Sequence, residues 1–413
     1  MSSNGSATDV ALIGLGRRGW AHFEMLLALP GRIRLVGVCD RDPERLREAR
    51  ERIGPDVAAV ETVEDLVRSC RPAFAVVSAM QDTLPALSCT LLEAGIAVLA
   101  EVPPAYDGRA IRKMIDTAQR NGLPLGSAEN YTRTPLERLK QQLLRSGALG
   151  RIERAEVGGS VGHKGHEIAL ARHYLGVEAK PVRARATASE GSGLFSGEGV
   201  QIPHRLTGTV EFDNDTEARF GLRSVRVTSK ADLDRADLRG DFVASGGGCR
   251  NNALYLLRDG RELPISVERR LIEVDGTPVP ESLRAAEIPD VVWTNPFSDT
   301  AFPPASRREY LCRVDDTPQS WEIAMADAYL DMAEALAEGR APEYEVAHSQ
   351  TDVRIRLMML ESSRRGGEWV DWQEEPFPIE RTILGRGWLR WMLHQPWMHR
   401  ALDLRRLLLR RAA

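Results

Sequence analysis

Short apolar runs and helical periodicities alternate through the first third of the chain. The run 10–13 (VALI) is continuous and apolar, as expected of a strand buried on both faces. Trp20, Phe23, Leu26 and Leu27 then recur at the spacing of one helix face packed on a sheet. A second apolar run, 34–39, ends in Asp40. Further on, RDPERLREARERIG and ETVEDLVRSC read as helices and PAFAVVSA as a buried strand. LPALSCTLLEAG reads as a helix closed by Gly95, IAVLAE as a strand, DGRAIRKMIDTAQRNG as a helix with a glycine stop, and LPLGSAEN as another strand. Strands alternating with helices predict a doubly wound parallel sheet over about 8–128.

Past about residue 150 the period changes. GRIERAEVGGSVG, KPVRARATAS, LTGTVEFDNDTEARFGLRS, GDFVASGGG and ALYLLRDGRELPISV are strand-like, with a hairpin signal at Asp213-Asn214-Asp215. Helices are predicted over 321–338 and about 349–364. The glycine-rich SGGGCRNN lacks a following helix and reads as a turn, not a phosphate loop. The chain therefore divides into an α/β domain over 1–128, an α+β domain with a largely antiparallel open sheet over 129–375, and a tail over 376–413.

Composition narrows the class. A length of 413 residues with 43% hydrophobic and 28% charged positions suits a soluble two-domain protein, and a net charge of −4 gives no footprint for nucleic acid. Cys39, Cys70, Cys89, Cys249 and Cys312 are scattered without CxxC spacing, which points to free thiols in a reducing cytoplasm. The opening MSSNGSATD reads as a short disordered lead-in, and no apolar stretch is long enough to span a bilayer.

The first chemical motif is Gly14-x-Gly16-x-x-Gly19, between the first strand and first helix. Gly14 permits the tight turn, Gly16 lets a pyrophosphate approach the helix N-terminus, and Gly19 lets helix and strand pack closely. Asp40, about twenty residues on, is placed to accept from adenosine ribose hydroxyls. Arg17 and Arg18 lie inside the loop and are expected to face the cofactor. Asp40 repels a 2′-phosphate and favours NAD, while Arg41 beside it keeps NADP possible.

The order of segments resembles the Gfo/Idh/MocA family of oxidoreductases. EAGIAVLAEVP is similar to the family's EAGKHVLCEKP, and LERLKQQLLRSGALGRI to its link into the second domain. GHEIALARHYLG resembles its GxHxxDxxRxxxG segment, and VAHSQTDVRIRLMMLESSRRGGEWV its closing helix and strand. The resemblance implies a substrate held by the second domain's open sheet beside the nicotinamide, and a homo-dimer or tetramer. It also implies cofactor contacts from Ala79 and Gln81, in the loop after the third strand, and from Glu101.

This chain departs from the family at the chemistry. Val102 stands where the EKP lysine normally moves a proton, the HxxD pair becomes His166-x-x-Ala169, and the TPNxxH loop becomes Ala79-Met80-Gln81-Asp82-Thr83-Leu84. Hydride transfer from a carbinol needs a base for the hydroxyl proton, and valine is none. His166 occupies the family histidine's position and is the leading acid/base candidate, the alternative being a helix-capping or surface histidine. Glu129, in AENY at a strand's carboxyl end, matches a glutamate of members related to family 109 glycoside hydrolases; its alternative is a strand-end salt bridge. Tyr131 and Lys164 are candidate proton relays or ordinary loop residues, and Val102, His163 and Lys164 are expected against the substrate. His163-x-x-His166 lacks a third ligand at recognisable spacing, so no metal is expected.

The tail carries eight arginines against Glu380 and Asp403, with Trp388, Trp391 and Trp397 among leucines and Pro396 splitting two short helices. Such a segment suits an anionic membrane surface or the acidic remainder of the protein, and packing on the protein is the favoured reading. The expected function is NAD(P)-dependent hydride transfer between the nicotinamide and a hydroxyl or carbonyl of a sugar, cyclitol or sugar-like metabolite. The competing readings are a redox-neutral NAD-dependent glycosidase or lyase, and a dinucleotide-binding regulator without turnover.

Overall fold

The computed structural model describes residues 7–379 apart from 30, 106, 162–164, 190–192, 195–200, 203–204, 225–236 and 304–316. His163, Lys164 and the arginine-rich tail beyond residue 379 lie outside the described residues.

The N-terminal part is a six-stranded parallel sheet of β1 (Thr8–Ile13), β2 (Ile33–Cys39), β3 (Ala58–Val60), β4 (Phe74–Val77), β5 (Ala97–Ala100) and β6 (Leu125–Ser127). The strand order is β3-β2-β1-β4-β5-β6, so the winding direction reverses between β1 and β4. Between them run α1 (Arg17–Leu27), α2 (Pro43–Arg50), α3 (Val63–Ser69), α4 (Leu84–Glu93) and α5 (Gly108–Asn121). Each residue of β4 and β5 is buried, as a strand covered by helices on both faces requires. Side chains start the helices: Asp42 accepts from Glu44 N, Thr62 from Asp65 N and Asp107 from Arg109 N. Gly122, at φ +62°, closes α5. β3 was not anticipated, because three half-buried edge residues leave no periodic signal.

The second part opens with α6 (Pro135–Arg145), β7 (Ile152–Val161), α7 (His166–Leu175) and β8 (Pro181–Ala188). The two-residue strands β9 (Gly193–Leu194) and β10 (Gln201–Ile202) pair with each other. The rest are β11 (Arg205–Phe212), β12 (Glu217–Ser224), β13 (Asp237–Ala244), β14 (Gly247–Arg250), β15 (Ala253–Arg258), β16 (Arg261–Ile265), β17 (Val267–Val274), β18 (Thr277–Ala285), β19 (Val292–Thr294) and β20 (Val370–Asp371). Nine of these strands form one sheet in the order β16-β15-β14-β13-β7-β12-β11-β8-β20. Its pairings are antiparallel except β7 with β12. The β11–β12 hairpin turns at the expected Asp213–Asp215, with Asp215 at φ +60°.

Two local readings differ from the structure. The SGGGCRNN segment is not one turn: β14 runs through it, and a second turn follows at Asn251 and Asn252, at φ +51° and +62°. The separate sheet β17-β18-β19 was also unseen, since β17 is exposed along most of its length and shows no alternation.

Two long helices, Ser320–Glu338 and Val346–Arg364, tie the halves together. On the second, Ser362 Oγ accepts from Ala186 N on β8 at 2.8 Å. Its Ser349 Oγ lies 2.8 Å from Ser127 Oγ at the end of β6.

Candidate functional site

The glycine loop takes up the close approaches its sequence suggested. Gly14 sits at φ +92°, and a Cβ there would lie 2.3 Å from the Ser78 carbonyl oxygen. A Cβ on Gly19 would lie 1.9 Å from the Gly14 carbonyl oxygen. At Gly16, the residue capping α1, the nearest atom to a Cβ would be Arg45 Nη1 at 3.9 Å. That open space at a helix N-terminus fits a pyrophosphate.

Asp40 is buried at the tip of β2. Its Oδ2 accepts from Leu15 N at 2.6 Å and its Oδ1 from Asp42 N at 2.9 Å, so the carboxylate pins the glycine loop. Arg45 Nη1 approaches Oδ2 at 3.5 Å. Arg17 and Arg41 are exposed, while Ala79 and Gln81 are half-buried in the loop after β4, with Ala79 N close to Gly14.

Glu101, at the tip of β5, anchors a buried polar chain. Its Oε1 lies 2.7 Å from Arg18 Nε and 2.7 Å from His22 Nε2, and its Oε2 accepts from Val102 N at 3.1 Å. Burial alone would push this carboxyl up, but Arg18 and His22 hold it well below the usual carboxylate range. His22 Nδ1 lies 2.6 Å from Tyr329 Oη, on the Ser320–Glu338 helix. Burial pushes the Tyr329 phenol well up, so it stays protonated and hydrogen-bonds the imidazole at Nδ1. His22 then donates from Nε2 to Glu101. Arg18, expected beside the cofactor, thus spends its Nε on Glu101 and sets its guanidinium 5.7 Å from the Trp321 ring centre. Val102 is buried next to this chain.

Three expected residues meet past β6. The Glu129 carboxylate is buried; Oε1 accepts from Tyr131 N at 3.0 Å, and Oε2 accepts from His166 Nδ1 at 2.7 Å. His166 is the first residue of α7, so the pair joins the parallel sheet to the second domain. With Nδ1–H donated to Glu129, Nε2 is left as the accepting nitrogen. The His166 side chain keeps 16% of its surface exposed, where Glu129 keeps 1%. Tyr131 packs on the imidazole at 4.7 Å between ring centres, and Trp321 meets Tyr131 edge-on at 4.9 Å. Arg133, two residues on, is fixed by Asp327 at 2.9 Å and Asp331 at 2.8 Å.

His22, Tyr329, Asn130 and Trp321 were missed from sequence. His22 left one signal, a histidine within the apolar face of α1. Tyr329 and Trp321 left none, since nothing local records which distant helix they meet. Among the described residues no three His, Cys, Asp or Glu side chains gather as a metal site needs.

This is a dinucleotide fold whose carboxyl edge carries a carboxylate–histidine pair. Residues 8–128 match the model of the oxidoreductase family with an NAD-binding Rossmann fold, Gfo/Idh/MocA. The match covers under a third of the chain, and that stretch is an NAD-binding Rossmann domain. The chain is 30% identical over 145 residues to D-apiose dehydrogenase of Paraburkholderia graminis, covering 34% of this chain and 37% of that protein. It is 30% identical over 155 residues to a glycosyl hydrolase family 109 protein of Porphyromonas gingivalis, covering 36% of this chain and 33% of that protein. Each match thus spans only about a third of the relative. The fold as a whole is similar to that of myo-inositol 2-dehydrogenase from Lactobacillus plantarum. The TM-score is 0.62 at 15% identity, covering 89% of this chain and all of that one.

Proposed function

We propose that this protein is an NAD-dependent oxidoreductase that oxidises a CH–OH group of a small sugar or cyclitol, with His166 taking the hydroxyl proton. The observation that carries this is the 2.7 Å Glu129–His166 pair at the carboxyl edge of the sheet, with Nε2 given no partner by the described residues. Open α/β sheets bind their ligands at that edge. NAD supplies the hydride acceptor when bound; Gly14, Gly16 and Gly19 shape its cradle, and Asp40 favours the unphosphorylated ribose. Glu129 fixes the imidazole's tautomer and direction, so Nε2 accepts the proton in the role a lysine holds elsewhere in the family. Tyr131 packs on the imidazole and restricts its rotation. Val102 lines the pocket and carries no proton. The relatives' names, a D-apiose dehydrogenase and a myo-inositol dehydrogenase, support a polyhydroxylated substrate.

The test is NADH formation at 340 nm with D-apiose, myo-inositol and related polyols. His166→Ala should cost at least ~100-fold in turnover, while Val102→Ala should stay within a few-fold. Equal losses in the two variants, or a fully active His166→Ala, would overturn this division of labour. The likeness to a family 109 glycosyl hydrolase supports a second reading, redox-neutral elimination with retained NAD. Denaturing purified protein separates the two, because retained dinucleotide favours that route and freely exchanging cofactor favours the dehydrogenase. Free thiols at Cys39, Cys70, Cys89 and Cys249 suit work in the reducing cytoplasm, and the resemblance to Gfo/Idh/MocA proteins supports a homo-dimer or tetramer. No helix among the described residues is long and apolar enough to cross a membrane.

A further inference from the structure

Three polar groups around Tyr131 have hydrogen-bonding capacity that no described residue takes up. Asn130 is only 1% exposed, yet neither its Oδ1 nor its Nδ2 meets a partner. The Trp321 Nε1–H is likewise buried without an acceptor. His166 Nε2 has no described partner, its Nδ1 being held by Glu129. Two of them border one ring, Tyr131 packing on His166 at 4.7 Å and meeting Trp321 at 4.9 Å, and Asn130 precedes that tyrosine in the chain. They arrive from the end of β6, the start of α7 and the Ser320–Glu338 helix. Buried polar groups are normally satisfied, so two unsatisfied residues on either side of Tyr131, beside the part-exposed His166, point to a ligand that completes them.

Their chemistry selects that ligand. Trp321 can only donate, Asn130 donates and accepts side by side, and His166 Nε2 accepts. An anion would set its lone pairs against Asn130 Oδ1 and the imidazole nitrogen. An apolar ligand would leave all three groups unpaired. Adjacent hydroxyls, each able to donate and accept, satisfy the set.

We propose that Asn130 and Trp321 clamp a polyhydroxylated substrate across the domain boundary, reading hydroxyls other than the one that reacts at His166. This rests on the oxidoreductase reading above, and the experiment separates the two. Full-length protein saturated with NADH, which cannot accept a hydride, is titrated by calorimetry with D-xylose, D-glucose and myo-inositol. At least one should bind the unaltered protein. Trp321→Phe, which keeps the ring and removes the N–H, and Asn130→Ala should each weaken that binding about tenfold. NADH affinity should stay within about twofold in both variants, a separation that general loosening of the site would not produce. Unchanged polyol affinity in both variants overturns the clamp whatever the turnover. So does NADH affinity falling in Asn130→Ala while polyol affinity holds, or failure of all three polyols to bind. Weakened binding in the variants, with no NADH formed from NAD by the unaltered protein, leaves the clamp standing and removes the oxidoreductase reading.

Discussion

Gly16 separates cofactor binding from folding more cleanly than its neighbours in the loop. Gly14 needs its positive φ and a bare approach to Ser78, and Gly19 touches the Gly14 carbonyl, so a side chain at either collides with backbone. A side chain on Gly16 meets only the far end of Arg45. Gly16→Val should therefore leave thermal stability nearly intact while lowering NAD affinity at least ~30-fold, by occupying the pyrophosphate's path. Gly19→Ala should instead destabilise the fold by about 1–3 kcal/mol, the usual cost of overpacking. Calorimetric NAD titrations beside melting curves separate the two effects. Unchanged NAD affinity in Gly16→Val would falsify the fingerprint reading. The same distinction explains what was legible: each glycine's local role follows from motif and spacing, whereas Arg18's turn toward Glu101 depends on a strand eighty-three residues away.

Among the elements, those buried on both faces were readable and those on the margins were not. β1, β2, β4 and β5 are apolar runs because helices cover them, while β3 and β17 lie where neither face is fully covered. Glu129 and His166 were each legible from their place at an element's end. That they meet was not, because α7 reaches β6 only through the packing of the second domain. The Val346–Arg364 helix offers an element-scale test at its C-terminal end. Glu361, fully buried in this fold, accepts from Arg364 Nε at 3.0 Å, Arg365 Nε at 2.8 Å and Ile379 N at 3.2 Å. The Arg364 hydrogen bond, helped by those of Arg365 and Ile379 N, outweighs burial and holds the carboxyl down at about 2. A carboxylate depressed on folding stabilises above its unfolded value of 4.5, and the contribution is lost as pH falls from there toward 2. Glu361→Gln should therefore be less stable than the unaltered protein at neutral pH, and the gap should close between about pH 4.5 and pH 2. Urea unfolding at stepped pH reads the gap, and a constant one means the carboxylate's charge contributes nothing.

The whole molecule is held together by side chains that its two C-terminal helices carry back to earlier elements of both domains. The Ser320–Glu338 helix gives Tyr329 to His22 on α1 and Asp327 and Asp331 to Arg133. The Val346–Arg364 helix gives Ser349 to β6 and Asp352 to Arg172 on α7, at 2.8 Å in each case. Contacts across 180 to 307 residues of chain leave no trace in local periodicity, so the assembly of the site was the least legible part. It also means that Glu101, beside the expected nicotinamide position, is oriented from the far domain through His22. Tyr329→Phe removes the hydroxyl that spans the two domains while keeping the ring buried. A neutral buried hydrogen bond lost in this way should cost about 1–3 kcal/mol in urea unfolding. NADH-forming turnover should change less than in His166→Ala, because Tyr329 is buried behind Glu101 and touches no reacting atom. Unfolding free energy within experimental error of the unaltered protein would show that packing, not this hydrogen-bonded chain, holds the domains in register.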